Sequence, residues 1–179
     1  MFAAVPLGAD ARQPLTLEVP ARETVAVLGD ENSGVGDLGG YALGLERPAA
    51  GRVLVFDTVI ADLPERERLA FRRRVGYLPA GDALLQNLSL RNNIALPVRF
   101  GSDASTREIE GRVNVMLAAV RLTARTAAEL LEFARGGETA EGARRTVLIT
   151  GQELPAVLHR RIERVYRLTR AGTLQLEPA

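Results

Sequence analysis

The chain contains no cysteine, no tryptophan and no lysine, and one histidine, His159, among its 179 residues. Without cysteine there is no disulfide framework and no thiolate metal site. One histidine is too few for an ordinary zinc centre, so no metal is expected. All 23 basic residues are arginine, which removes any chemistry that needs a lysine, including the lysine of a phosphate-binding loop. No apolar run approaches the roughly 18 residues of a membrane span, so direct membrane insertion is not expected. The opening MFAAVPLGADARQP lacks a basic stretch and meets Asp10 early, unlike a cleaved signal. A net charge of +1 gives little support to non-specific nucleic-acid binding. The apolar share of 46% and charged share of 25% fit an ordinary globular domain. One domain over residues 1–179, in the cytoplasm, is the expectation.

Strand and helix patterns alternate along the chain. Residues 14–19 alternate as a strand, and the β-branched run 24–28 (TVAVL) fits a strand buried on both faces. A loop, GDENSGVGD, leads to a weak helix over 38–45, and 51–56 read as another strand. DLPERERLAFRRR is an amphipathic helix, acidic early and arginine-rich late. VGYLP is a strand that Pro79 closes. Residues 104–121 form a helix capped near Ser105, with Ile109, Val113, Met116, Leu117 and Val120 on one face. A further helix is expected over 126–135. The C-terminal part, 145–179, combines a core strand (RTVLIT, 145–150), a helix over 154–163 and the hairpin VYRLTRAGTLQLE. This order implies an α/β fold with a parallel core sheet.

A strand, a glycine-bearing loop and a helix suggest the phosphate loop GxxxxGK[ST]. Gly29 and Gly34 hold its glycine positions at the required spacing, with Ser33 between. Val35 stands where the lysine belongs, Gly36 where the magnesium-binding hydroxyl belongs, and Asp37 comes next.

The run from LTLEVPARETVAVLG through GLERPAAGRV (44–53) to RRRVGYLP resembles the ATP-binding subunits of ABC transporters. The resemblance continues through ALLQNLSLRNNIALPVRF, REIEGRVNVMLAAVRL and the final hairpin. It implies a truncated P-loop NTPase of the ABC type: a parallel core sheet, an N-terminal antiparallel β part and a small helical subdomain over about 80–137. Against that pattern the chemistry is missing. The Q-loop glutamine aligns with Ala80. The signature LSGGQ falls near ARGGE, with Arg135 replacing its serine while Gly136, Gly137 and Glu138 remain. No apolar run ends in Asp-Glu, so the Walker B aspartate and catalytic glutamate are absent. The switch histidine would align near Gly151 or Gln152, and His159 reads as a solvated helix residue. Only Phe2 offers a ring where an adenine-stacking tyrosine would stand. The chain is also several dozen residues short between ARGGE and VYRL, so RTVLIT stands for either the Walker B strand or the switch strand.

Magnitudes weigh against nucleotide. Without lysine the loop loses its one full positive charge, and Asp30, Glu31 and Asp37 add carboxylates in or beside it. At 4 Å and an effective dielectric of 20, a unit charge pair is worth about 4 kcal/mol before screening. No ATP binding, no hydrolysis and no cofactor are expected. Asp37 admits two readings: a cap on the helix N–H groups, standing in the anion site, or a solvent-facing acid. Gly39 and Gly40 weaken the same helix by about 1 kcal/mol each relative to alanine.

In the resembled family, the segment after the Q-loop position receives a helix of the membrane subunit. Here it offers Leu84, Leu85, Gln86, Asn87, Leu88, Arg91 and Asn92 as a docking surface. NLSLRNNIALPVRF is most similar to Mla/Mce-type lipid-transport ATPases, with lipoprotein-releasing ATPases as neighbours. The resemblance therefore implies a non-catalytic pseudo-ATPase subunit, peripheral to the inner face of the membrane. Its expected partner is a transmembrane permease, with an intact ATPase subunit or a second copy beside it. The alternative is a free soluble regulatory protein retaining the fold.

Overall fold

The computed structural model describes residues 1–8, 10–77, 85–120, 131, 135 and 145–177. Its centre is β3 (Thr24–Leu28), whose five residues are all buried. β5 (Val147–Gly151) pairs with β3 in parallel on one side and β6 (Arg164–Leu168) in parallel on the other. β7 (Leu174–Leu176) runs antiparallel to β6, giving the order β5-β3-β6-β7. The sheet is thus mixed, with parallel strands at its core. A second sheet has the order β2-β1-β4, all antiparallel, from β1 (Phe2–Val5), β2 (Leu15–Leu17) and β4 (Arg52–Val53).

Alternation along β3 explains its double burial. Val25 and Val27 enter a cluster with Phe2, Val5, Leu15, Leu17, Val53 and Leu168, joining the antiparallel sheet to the core. Ala26 and Leu28 turn to the other cluster, with Leu131, Leu158, Ile162 and Val165. The first cluster also takes in Leu38 of α1 (Asp37–Ala42), the helix after β3.

Two compact units divide the chain. The first comprises Met1–Tyr77 with Thr126–Ala179, and the second Leu78–Arg125. The helical part therefore closes at Arg125 and not near 137, because Leu131 joins the core cluster of the first unit. The second unit is a helix pair, α3 (Leu90–Gly101) and α4 (Thr106–Val120), held by Ile94, Ala95, Val98, Ile109, Val113 and Leu117. Ser105 and Glu108 cap α4 reciprocally: Glu108 Oε2 accepts from Ser105 N at 2.8 Å, and Ser105 Oγ accepts from Glu108 N at 3.4 Å.

Several sequence expectations shift. The strand over 51–56 shortens to β4, because Val55 and Thr58 close a two-residue turn through Phe56 and Asp57. The amphipathic helix in DLPERERLAFRRR is present as α2 (Glu65–Arg72), trimmed at both ends, with a 3-10 turn, Ile60–Asp62, before it. Val75–Tyr77 form no strand, and residues 78–79 lie outside the described residues. Of the helix over 126–135, Leu131 and Arg135 are helical and the others lie outside the described residues. The helix over 154–163 contracts to one turn, α5 (Ala156–His159), where His159 is half-buried.

Candidate functional site

Residues 29–37 link β3 to α1 through consecutive tight turns. Gly29 N–H donates to the Gly151 carbonyl at 2.9 Å, tying the loop's start to the end of β5. Asp30 organises the turn beyond it. Its Oδ1 accepts from Asn32 N–H at 2.9 Å, and its carbonyl accepts from Ser33 N–H at 3.1 Å and from Ser33 Oγ at 2.6 Å. Ser33, wholly buried, accepts in turn from Val35 N–H at 3.3 Å. Asp37 N–H donates to the Gly34 carbonyl at 3.1 Å. Four backbone donors of the loop, on Asn32, Ser33, Val35 and Asp37, are thus turned onto the loop's own acceptors. A phosphate-binding loop needs such donors aimed outward at the anion.

The charges agree with that geometry. Arg170, in the turn between β6 and β7, donates from Nε to Asp30 Oδ2 at 2.7 Å. That guanidinium hydrogen bond outweighs desolvation and, helped by the Asn32 N–H, holds the Asp30 carboxyl below the usual carboxylate range. Gln152 Nε2, just beyond β5, donates to Glu31 Oε1 at 3.4 Å, a second tie between that strand's end and the loop. Val35, at the lysine position, points into the core at 6% exposure beside Leu38. Gly36 contributes no side chain.

Asp37 is not a cap. The residue before α1 is Gly36, with helical backbone angles and no capping side chain, and Asp37 is the exposed first residue of the helix. The solvent-facing reading therefore holds. Asp37→Ala should change unfolding free energy by no more than about 0.5 kcal/mol, as at ordinary surface positions; denaturant titration checks this. Gly39 has a packing reason that the sequence did not disclose. A Cβ there would lie 2.6 Å from Tyr77 Cε2, so its bare backbone seats the Tyr77 ring on α1.

Gly34 takes φ +78°, and a Cβ on it would fall 2.4 Å from Gly8 N. The segment Leu7–Gly8 thus lies hard against the loop. Gly34→Ala should destabilise the fold by about 2 kcal/mol or more, through both the left-handed backbone and the backbone clash. A thermal midpoint equal to that of the unaltered protein would contradict this. Phe2 is likewise committed, buried in the core and paired with Leu17 and Val53, so its ring is not offered to an adenine.

Arg135 is placed differently from the signature position assigned to it. It is 8% exposed and lies at the start of β3, the end opposite the loop. Its Nε donates to Thr24 Oγ1 at 2.8 Å, and its Nη2 donates to Glu163 Oε2 at 3.2 Å and to the Arg161 carbonyl. Glu163 Oε2 also accepts from Thr24 N–H at 2.9 Å. This is a buried structural clamp. Gly136, Gly137 and Glu138 lie outside the described residues, as do Ala80 and Leu84.

In the second unit, Leu85, Gln86, Asn87, Arg91 and Asn92 are exposed and Leu88 is half-buried. Ser89 caps α3 by accepting from Asn92 N–H at 3.2 Å. Arg91 is bound across to α4, donating to Glu110 Oε2 at 3.0 Å and Asn114 Oδ1 at 2.8 Å. The residue missed by sequence reasoning is Asn93. Its Oδ1 accepts from Leu85 N–H at 2.8 Å, and its Nδ2 donates to the carbonyls of Leu85, Leu88 and Ser89. One side chain therefore sets the shape of the 85–89 turn. Among the described residues no helix is long and apolar enough to cross a membrane.

A family model described as "ABC transporter" matches residues 12–152. The chain is 33% identical over 141 residues to the lipoprotein-releasing system ATP-binding protein LolD of Chromohalobacter salexigens, covering 78% of this chain and 59% of that protein. It is 32% identical over 113 residues to the methionine import ATP-binding protein MetN 2 of Pseudomonas aeruginosa, covering 63% and 34%. It thus spans about a third of the length of the methionine-import relatives it matches. Among solved structures it is similar to the ATP-binding cassette MJ0796 in a dimeric post-hydrolysis state bound to ADP and Pi. That likeness has a TM-score of 0.79 at 16% identity, over 98% of this chain and 97% of the other, and concerns the fold.

Proposed function

Because the chain belongs to the ABC transporter family, we propose that it serves as a non-catalytic pseudo-ATPase subunit, docking on a transmembrane permease without hydrolysing ATP. The burial of Val35 carries this reading. Where the family resemblance calls for a lysine reaching the phosphates, the side chain is packed in the core beside Leu38. The inward-turned N–H groups of Asn32, Ser33, Val35 and Asp37 support it, as do the carboxylates of Asp30, Glu31 and Asp37 around the loop. A nucleotide would meet neither a cation on the lysine position nor a hydroxyl at Gly36 for its magnesium. The exposed 85–92 turn, held in shape by Asn93, is the proposed contact with the permease.

The test is affinity purification from solubilised membranes, with and without Mg-ATP, combined with calorimetric titration of ATP into the purified protein. The reading requires a permease to be recovered equally under both conditions, and no heat of ATP binding. Saturable ATP binding would overturn the non-catalytic assignment. Recovery of soluble partners alone would overturn the permease assignment.

A further inference from the structure

β5 ends the strand order β5-β3-β6-β7, so among the described residues its outer edge has no neighbour. It opens with Val147, Leu148 and Ile149, an apolar run of the kind that a parallel sheet buries on both faces. Yet these three keep partial exposure and Thr150 is exposed, whereas all five residues of β3 are buried. The hydrogen bonds of β5 identify the groups left over. Val147 N–H donates to the Glu23 carbonyl at 3.0 Å, and the Gly151 carbonyl accepts from Gly29 N–H at 2.9 Å. Alternation then turns Val147, Ile149 and Gly151 towards β3, and the backbone groups of Leu148 and Thr150 outward. Two residues beyond the two ends stand Arg145 and Glu153, both exposed. Neither has a side-chain partner among the described residues.

We propose that β5 pairs antiparallel with β5 of a second copy of this chain, about a twofold axis at Ile149, joining the two sheets into one. The strand is complementary to itself in that register. Leu148 stands opposite Thr150 of the second copy, so the outward-facing residues exchange both backbone hydrogen bonds on either side of the axis. Ile149 meets Ile149 of the second copy at the closer, non-hydrogen-bonded position, apolar against apolar. Arg145 falls opposite Glu153 of the second copy, once at each end of the paired segment. A parallel neighbour of the same sequence would instead set arginine beside arginine and glutamate beside glutamate. An unpaired edge is otherwise open to indiscriminate association, and the twofold pairing closes it. This inference is independent of the loop and of the permease contact.

The test is sedimentation of the full chain over a range of concentrations, with amide hydrogen exchange read at Leu148 and Thr150. Both amides should become protected as the dimer forms. Arg145→Glu and Glu153→Arg should each weaken dimerisation about tenfold, since each sets like charges opposite one another at both ends. Both positions are exposed, so the thermal midpoint of the monomer should stay where it was. Mixed in equal amounts, the two variants should pair with each other as tightly as the wild type pairs with itself, because opposite charges face again. Thr150→Pro removes an outward N–H that β3 does not use, and it should lose the dimer. A monomer at every concentration would overturn the proposal. Freely exchanging amides would then leave the edge to a different partner, and amides already protected would mean that the chain covers its own edge. A dimer that neither charge reversal weakens, or a mixture of the two variants that stays monomeric, would also overturn it.

Discussion

Replacing Val35 with lysine is expected to destabilise the protein by about 3 kcal/mol or more and to leave it unable to bind ATP. The sequence comparison invites the opposite experiment, in which restoring the family's lysine revives the site. The side chain at 35 is packed with Leu38, Val25 and Val27 in the largest core cluster. An ammonium there must shed water without an acquired partner, deprotonate, or displace the start of α1. Val35→Ala separates the effects: it removes apolar contact without adding charge and should cost about 2 kcal/mol. Chemical denaturation gives both values, and a nucleotide titration of the lysine variant completes the measurement. An unchanged midpoint together with ATP binding would mean that position 35 opens to the loop's outer side, contrary to the structure.

Arg135→Ser, which writes the family's signature serine at the residue the sequence aligned with it, is expected to cost about 2 kcal/mol. A serine spans neither to Thr24 Oγ1 nor to Glu163, and it would leave the partly exposed Glu163 carboxylate without this guanidinium. Adding Glu163→Gln removes that charge while keeping an acceptor for the Thr24 N–H. The double variant should therefore be less destabilised than the sum of the single ones, by a coupling that a double-mutant cycle reads directly. Strict additivity would show that Arg135 and Glu163 act separately.

These two positions mark what the sequence can and cannot disclose. TVAVL was legible as a doubly buried strand because every one of its residues is apolar or β-branched, and the hairpin after Arg164 because its residues alternate. β1 was not legible. FAAV carries no clean alternation, Ala4 adopts φ +54°, and the register with β2 shifts between Phe2 and Val5. Its identity as a strand comes from two neighbours that lie 10 or more residues away. α3 was hidden by Pro97 within it and by Asn92-Asn93 near its start, although Ser89 before an apolar-periodic run was an available cap signal. At the loop, spacing located Gly29 and Gly34 and named the missing groups. It could not tell that Ser33 faces inward, or that Arg170, 140 residues from Asp30, supplies the loop's counter-charge. The ARGGE text suggested a surface motif, whereas Arg135 is fixed by partners at Thr24, Arg161 and Glu163 that no local pattern reveals.

The pairing of β3 also has a consequence for how the protein is made. Both strands flanking it, β5 and β6, lie more than a hundred residues downstream. Contacts of such sequence separation form slowly. During translation TVAVL emerges early with both hydrogen-bonding edges unpartnered; its Val25–Val27 face finds partners made by Val53, but one edge waits for β5 and the other for β6, up to Leu168. A nascent chain in that condition is open to aggregation. Its first unit is completed from the C-terminal side, so a messenger cut short before β6 yields a product with its core strand half paired.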